Sequence, residues 1–204
     1  MFYAEDVDYF SNVGMKPFQA LSHVAEIIWH QSNLMQMLTQ RTQLDTLTGL
    51  MNRRKTTHEL GKAIERANES GEALSVMICR IDEFDKINES HGWLAADAIL
   101  VAFAKEITSR LRPLDKVGRW TSIEFLFILP RTDAAHAEIF AQSLQAYVMS
   151  HPIAEQDYSV RLRLSVSVTP YFNDSNGLED LVQLANHNML GVLQEQARQP
   201  RAAS

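Results

Sequence analysis

The stretch RPLDKVGRWTSIEFLFILP, residues 112–130, decides the reading of the fold. Lys116 to Trp120 and Ile123 to Leu129 are two short strand-like runs with only Thr121-Ser122 between them, which is hairpin spacing. After Glu124 the second run is apolar throughout, as in a strand covered on both faces. Pro130 ends it, because proline cannot donate to a strand ladder. Upstream, Ala73 to Ile81 (ALSVMICRI) is a second short apolar run and predicts a buried strand. Between these strands the pattern predicts two helices, near 83–90 and 96–111, separated by Ser90-His91-Gly92. Downstream, Ala137, Phe140, Leu144 and Val148 recur at helical spacing over 133–149. Tyr158 to Val168 alternates, with Val160, Leu162 and Leu164 on one face, and predicts one half-buried strand. Residues 178–197 predict a last helix, and QPRAAS is a tail.

Further upstream, Asp45 to Arg54 reads DTLTGLMNRR. Thr48-Gly49 is turn chemistry, and Asn52 suits the cap of a helix running to about Asn68. Residues 1–16 have no clear period. Pro17 is tolerated in a first helical turn. Leu21, Val24, Ile28, Met35 and Leu38 then form a heptad-like seam. Two readings of that seam stand side by side: one amphipathic helix on its own domain, or a helix that pairs with a second copy. The order is therefore a helix followed by β-α-α-β-β-α-β-α. It predicts a sheet with helices packed over it, in the α/β or α+β class. The domain organisation is an N-terminal segment over 1–42, one domain over 43–198 and a tail over 199–204.

Composition narrows the chemistry. The chain has 204 residues, 46% hydrophobic and 22% charged, which is globular composition. Nineteen Lys+Arg against 25 Asp+Glu give a net charge of −6, opposite in sign to a duplex-wrapping nucleic-acid binder. One cysteine, Cys79, leaves no intramolecular disulfide framework. Its place in an apolar strand predicts an inert small hydrophobe. The seven histidines are scattered without metal-ligand spacing. No apolar run reaches the ~18 residues that span a bilayer. The opening MFYAEDVDYF is acidic where a secretory signal is basic and then apolar. The expectation is a cytoplasmic protein.

Three motifs in series carry a resemblance. DTLTGLMNRR (45–54) matches D-x-L-T-G-L-x-N-R-R without departure. RIDEFDKINESHGWLAADAIL (80–100) is similar to D-I-D-x-F-K-x-I-N-D-x-x-G-H-x-x-G-D-x-x-L. RPLDKVGRWTSIEFLFILP is similar to R-x-x-D-x-x-x-R-Y-G-G-D-E-F followed by an apolar strand. Over residues 43–198 the chain resembles the GGDEF family, the domain of diguanylate cyclases. The resemblance implies an α+β fold with a palm-like central antiparallel sheet flanked by helices, here with an N-terminal helical extension. A working member condenses two GTP molecules into cyclic di-GMP, the 3′-hydroxyl of one attacking the α-phosphate of the other. Mg²⁺ held by carboxylates clamps the triphosphate.

Fold alone does not confer that activity, and here the motif positions depart from the pattern. The family's first metal carboxylate falls on Arg80, which only donates hydrogen bonds. Its acidic ligand in the signature falls on Ile123, and of the acidic pair only Glu124 remains, followed by Phe125. The two signature glycines fall on Thr121 and Ser122. Glycine there allows positive φ and close approach of backbone to phosphate. The phosphate-holding lysine and arginine near the C-terminus fall on Leu193 and Ala197, with Arg198 one position off. Asp85 takes the slot of another phosphate lysine, beside Lys86. The expectation is a site without metal, in which Arg80 either pairs with phosphate directly or ion-pairs with Glu124 and closes the site.

Two other family sites retain their residues. Asn88 and Asp97 match the guanine-reading pair; the alternative is that both serve as helix caps. Arg112 and Asp115 match the inhibitory R-x-x-D that binds cyclic di-GMP. Arg can fork onto a phosphate or a guanine edge, and Asp can accept from guanine N–H groups. The alternative there is a solvated helix end and a loop-terminating Asp. Ser143 stands where a further arginine is supplied, and Arg161 and Arg163 are either extra basic contacts or the exposed face of a strand. The resemblance thus implies a catalytically inactive domain that binds cyclic di-GMP through R-x-x-D, engages a protein partner, or does both. Taken with the net charge and the apolar seam, the expectation is no resident cofactor, no Mg²⁺ and no nucleic-acid partner, and a homodimer joined through the helix at 17–42. The competing expectations are a ligand-free docking and dimerisation module and, third, a weakly active cyclase using Glu124. A chain of this length is expected to lack a separate receiver, sensory or phosphodiesterase domain, so input is expected through the N-terminal helix or a bound protein.

Overall fold

The structure is a computed structural model that describes Glu26, residues 43–155, 158–172 and 177–198. The predicted helix at 17–42, residues 1–16 and the tail lie outside the described residues, apart from Glu26. The fold is that of the unit beginning at Gln43. It runs α1 (Arg53–Ser70), β1 (Leu74–Ile81), α2 (Phe84–Ser109), β2 (Lys116–Arg119), β3 (Glu124–Pro130), α3 (Ala134–Ser150), β4 (Ile153–Glu155), β5 (Tyr158–Val160), β6 (Leu164–Tyr171) and α4 (Leu178–Arg198).

Four strands form one sheet in the order β2-β3-β1-β6, every neighbouring pair antiparallel. β1 sits inside it and is buried on both faces, which is why its sequence is apolar without alternation. Met77, Cys79, Ile81, Phe125 and Phe127 pack on one face against Ile99, Phe103 and Ile107 of α2 and Leu144 and Val148 of α3. Val76, Ile78, Leu126 and Ile128 pack on the other against Leu60 and Ile64 of α1 and Leu181 and Met189 of α4. Phe103 and Phe125 meet edge to face with ring centroids 5.1 Å apart. Each such fully buried aromatic contributes roughly 1.5–3 kcal/mol of apolar burial. Cys79 is fully buried in this layer, and desolvation pushes its thiol far above the ordinary value. An inert thiol follows.

The helix boundaries follow local chemistry. Asn52 caps α1 by accepting from the Lys55 amide at 2.9 Å, and Gly71 ends it in the left-handed region at φ 68°. Asp133 caps α3 through the His136 amide at 2.9 Å. The two helices expected between β1 and β2 run on as α2, broken at Gly92, whose φ of 80° and ψ of 168° are not helical. The break falls where Ser90-His91-Gly92 predicts it.

The strand expected over Tyr158–Val168 is two strands. β5 pairs with β4 in a separate two-stranded ribbon, and Arg161 to Arg163 run unpaired before β6 joins the main sheet. Alternation persists through the break because Leu162 and Leu164 are both buried, so the periodicity carries no sign of it. Arg161 and Arg163 accordingly lie between strands rather than on one.

Residues 45–56 dock on β2. Met51 bridges to Gly118, and the Arg119 amide donates to the Met51 carbonyl at 2.8 Å. A side chain at Gly118 would collide with Thr56 Oγ1 and the Met51 carbonyl, so the close approach requires glycine there.

Candidate functional site

The signature hairpin places β1 beside β3 so that Arg80 is the cross-strand partner of Glu124. Arg80 Nη1 lies 3.6 Å from Glu124 Oε1, and the Thr121 hydroxyl donates to Glu124 Oε2 at 3.1 Å. Both carboxylate oxygens are therefore engaged within the protein. The Glu124 side chain is only 16% exposed, against 37% for Arg80. The turn is closed by the Trp120 and Thr121 amides, which donate to the Glu124 carbonyl at 2.7 and 3.2 Å. Among the described residues the only non-glycine positions with positive φ are Glu83 and Arg131. Thr121 and Ser122 thus make this turn without the left-handed backbone that signature glycines permit.

Ile123 packs its half-buried side chain against the α2–α3 cluster, while its carbonyl accepts from the Ile81 amide at 3.1 Å. Phe125, fully buried against Phe103, is a core residue. Of the expected site set, Arg80, Thr121 and Glu124 converge, and Ile123 and Phe125 turn into the packing. The donor set does not fit Mg²⁺. One carboxylate already paired with a guanidinium, beside a hydrocarbon, supplies too few oxygens for an octahedral cation. No cluster of three His, Cys, Asp or Glu side chains able to hold a metal occurs among the described residues.

Around this end several other polar groups are engaged within the protein. Ser165 Oγ lies 2.6 Å from Asp82 Oδ1 and 2.8 Å from Gln196 Oε1, joining the turn after β1 to β6 and α4. Lys86 pairs with Glu83 at 3.0 Å. Leu193 packs on the α1–α4 cluster, in keeping with a hydrocarbon where a phosphate lysine is expected. Arg119 donates to Asp45 Oδ1 at 3.0 Å and to the Ser122 carbonyl at 2.8 Å, linking residues 45–48 to the signature turn. Burial pushes the Asp45 carboxyl up, but bonds from Thr48 and Arg119 outweigh it and hold it below its ordinary value. That link joins two quoted motifs, yet nothing in either marks them as partners.

Asn88 and Asp97 both lie in α2, on either side of the Gly92 break. Neither is a cap: α2 begins at Phe84 and Asp97 is interior and exposed. Asn88 Oδ1 is buried without a hydrogen-bond partner among the described residues, an acceptor left open at a position matched to guanine reading. No hydrogen bond joins the two side chains.

At the other end of β2, the Arg112–Asp115 turn is closed twice. Asp115 Oδ2 accepts from the Arg112 amide at 3.0 Å, and the Asp115 amide donates to the Arg112 carbonyl at 3.0 Å. The Arg112 guanidinium is exposed and has no ion pair or hydrogen bond among the described residues. Ser143, on α3, is exposed. Arg161 and Arg163 line a cleft of about 240 Å³ with Asp82, Lys86 and His91, apart from the pocket behind this turn. Next to it, Glu59 is buried among Lys55, Lys62 and Lys116. The bond from Lys116 outweighs burial and, with Lys55, holds Glu59 down at about 2. Glu59 and Lys116 stand 57 residues apart in sequence, so their pairing carries no local signal.

Residues 42–199 match the family model described as "Diguanylate cyclase, GGDEF domain". The response regulator PleD of Caulobacter vibrioides is 32% identical over 155 residues, which is 75% of this chain and 34% of PleD. The cyclic di-GMP phosphodiesterase NbdA of Pseudomonas aeruginosa is 33% identical over 148 residues, 72% of this chain and 19% of NbdA. The chain therefore spans about a third or less of these curated relatives. The GGDEF domain of TpbB (YfiN) from P. aeruginosa superposes with a TM-score of 0.69 at 31% identity, covering 74% of this chain and 89% of that one. The GGDEF domain of DgcB from Caulobacter crescentus, solved in complex with c-di-GMP, shares the fold at a TM-score of 0.70, 20% identity and coverage of 76% and 89%. With the fold and the three sequence motifs agreeing with that match, the chain belongs to the GGDEF domain family.

Proposed function

We propose that this chain is a non-catalytic GGDEF domain that binds cyclic di-GMP at Arg112 and Asp115 and passes that state to a protein partner. The observation that carries the reading is the contrast between Glu124, both of whose oxygens are engaged by Arg80 and Thr121, and Arg112, whose guanidinium has no partner among the described residues. The first arrangement favours neither Mg²⁺ nor a triphosphate. The second offers a planar donor fork beside a carboxylate, which suits a phosphate and a guanine edge. Relatives named for cyclic di-GMP turnover support this setting. Action in the cytoplasm and dimerisation through the helix at 17–42 belong to the same proposal.

Titration calorimetry with cyclic di-GMP tests it. The account expects saturable binding that weakens at least tenfold in Arg112→Ala, since a charge-assisted hydrogen bond is worth about 1.5–3 kcal/mol. No heat at high micromolar ligand overturns it. The competing reading, a docking module without ligand, draws on the Asp115 carboxylate being committed to the Arg112 amide; it gains if calorimetry is silent.

A further inference from the structure

Behind the Arg112–Asp115 turn lies a pocket of about 200 Å³. Ala63 and Ala67 of α1 form one wall, Leu74 and Ile128 line its depth, and Pro113 and Leu114 form the outer lip. Small side chains leave this space where larger ones would fill it. Leu114 is 52% exposed, hydrocarbon left facing water at the lip. The volume falls below the roughly 300–1,000 Å³ of small-molecule sites, so it suits one protruding apolar side chain rather than a dinucleotide.

The rim is cationic, with Arg66, Lys116 and Arg131. Its carboxylates are already engaged: Glu72 pairs with Arg131 at 2.8 Å, and Glu59 with Lys116, Lys55 and Lys62. Arg66 has no ion pair among the described residues. A cationic surplus thus gathers around an apolar hole on a chain of net charge −6. Glu65 and Glu69 share α1 but do not line the pocket. The complement of this surface is an apolar side chain flanked by carboxylates.

The turn also belongs to both sites. Arg112 and Asp115 are the ligand-facing residues of the proposed function, and Pro113 and Leu114 between them wall the pocket. A guanine edge donating to Asp115 would engage the same carboxylate whose Oδ2 closes the turn onto the Arg112 amide, so a ligand there bears on the lip.

We propose that the pocket docks an acidic segment of a protein partner, seating one apolar side chain between Ala67 and Leu114 with a carboxylate on Arg66, and that cyclic di-GMP at Arg112 and Asp115 weakens this docking. The coupling rests on the reading in the preceding subsection; the pocket itself does not. The test is fluorescence anisotropy on the full chain with a fluorescein-labelled peptide EDLWDE and its basic counterpart KKLWKK, with and without saturating cyclic di-GMP. The expected result is EDLWDE binding at least tenfold tighter than KKLWKK, at least fivefold weaker in Ala67→Leu and in Arg66→Ala, and at least threefold weaker with cyclic di-GMP. Equal affinity for the two peptides overturns the pocket. So does unchanged EDLWDE affinity in an Ala67→Leu variant whose circular dichroism matches the unsubstituted chain. Calorimetric binding of cyclic di-GMP with no change in peptide affinity overturns the coupling. If cyclic di-GMP gives no heat while the peptide contrast holds, the ligand reading and its coupling fall and the pocket stands.

Discussion

Arg80 and Arg112 stand at opposite ends of the β2–β3 hairpin and have met opposite fates. Arg80, set beside Glu124 by the strand register, has an anion within the protein 3.6 Å away. Arg112, just before β2, has a turn closed by two hydrogen bonds beneath it and nothing on its guanidinium among the described residues. The same side chain therefore closes one site and leaves the other open. What separates them is the supply of partners, not the arginine: opposite a carboxylate on the neighbouring strand a guanidinium has an anion within reach, whereas on a turn whose acid bonds to the backbone it has none among the described residues.

The comparison breaks most visibly if the closed end is reopened. Arg80→Asp combined with Ile123→Glu restores two carboxylates beside Glu124. Mg²⁺ is then expected to raise the melting temperature of the double variant and not of the unsubstituted chain. A ligand at a hundredfold its Kd adds about 2.7 kcal/mol. Differential scanning fluorimetry against Mg²⁺ concentration reads this directly.

The open end is sharpened through its neighbour Glu59. The Lys116 bond and its companions hold that carboxyl at about 2, below its ordinary value of 4.5. A lowered acid contributes stability that is full above the ordinary value and lost as pH falls from there towards about 2. Glu59→Gln is expected to cost about 1.5–3 kcal/mol at neutral pH, the range for hydrogen bonds to charged groups. It should also flatten the decline of stability between pH 4.5 and 2. Urea melts across that pH range check both. The smallest effect belongs to Arg80→Ala: for a part-exposed pair the loss is within about 1 kcal/mol, and cyclic di-GMP affinity should not change.

Much of the fold was legible because it is written in local pattern. The apolar runs of β1 and β3, the two-residue gap between the hairpin strands, Asn52 as a cap and the break at Gly92 each need only a few neighbouring residues. The β4–β5 ribbon was not legible, since three-residue strands such as Ile153-Ala154-Glu155 carry no period and the alternation through Leu162 and Leu164 runs unbroken across the gap. The candidate site divided in the same way. The substitutions at Arg80, Thr121, Ser122 and Ile123 could be read position by position. The Arg119–Asp45 bond and the lysines around Glu59 could not, because they join residues 74 and up to 57 positions apart. The pocket behind Leu114 was hidden for another reason: it is made by what small residues leave empty.

The proposal of a non-catalytic domain stands or falls on whether a guanidinium at Arg80 and a hydrocarbon at Ile123, where the family carries carboxylates, prevent cyclisation of GTP. The direct test is an overnight incubation of the purified chain with GTP and Mg²⁺, resolved by chromatography. The account predicts unconsumed GTP and no cyclic di-GMP; cyclic di-GMP that forms, and is lost in Glu124→Ala, would contradict it.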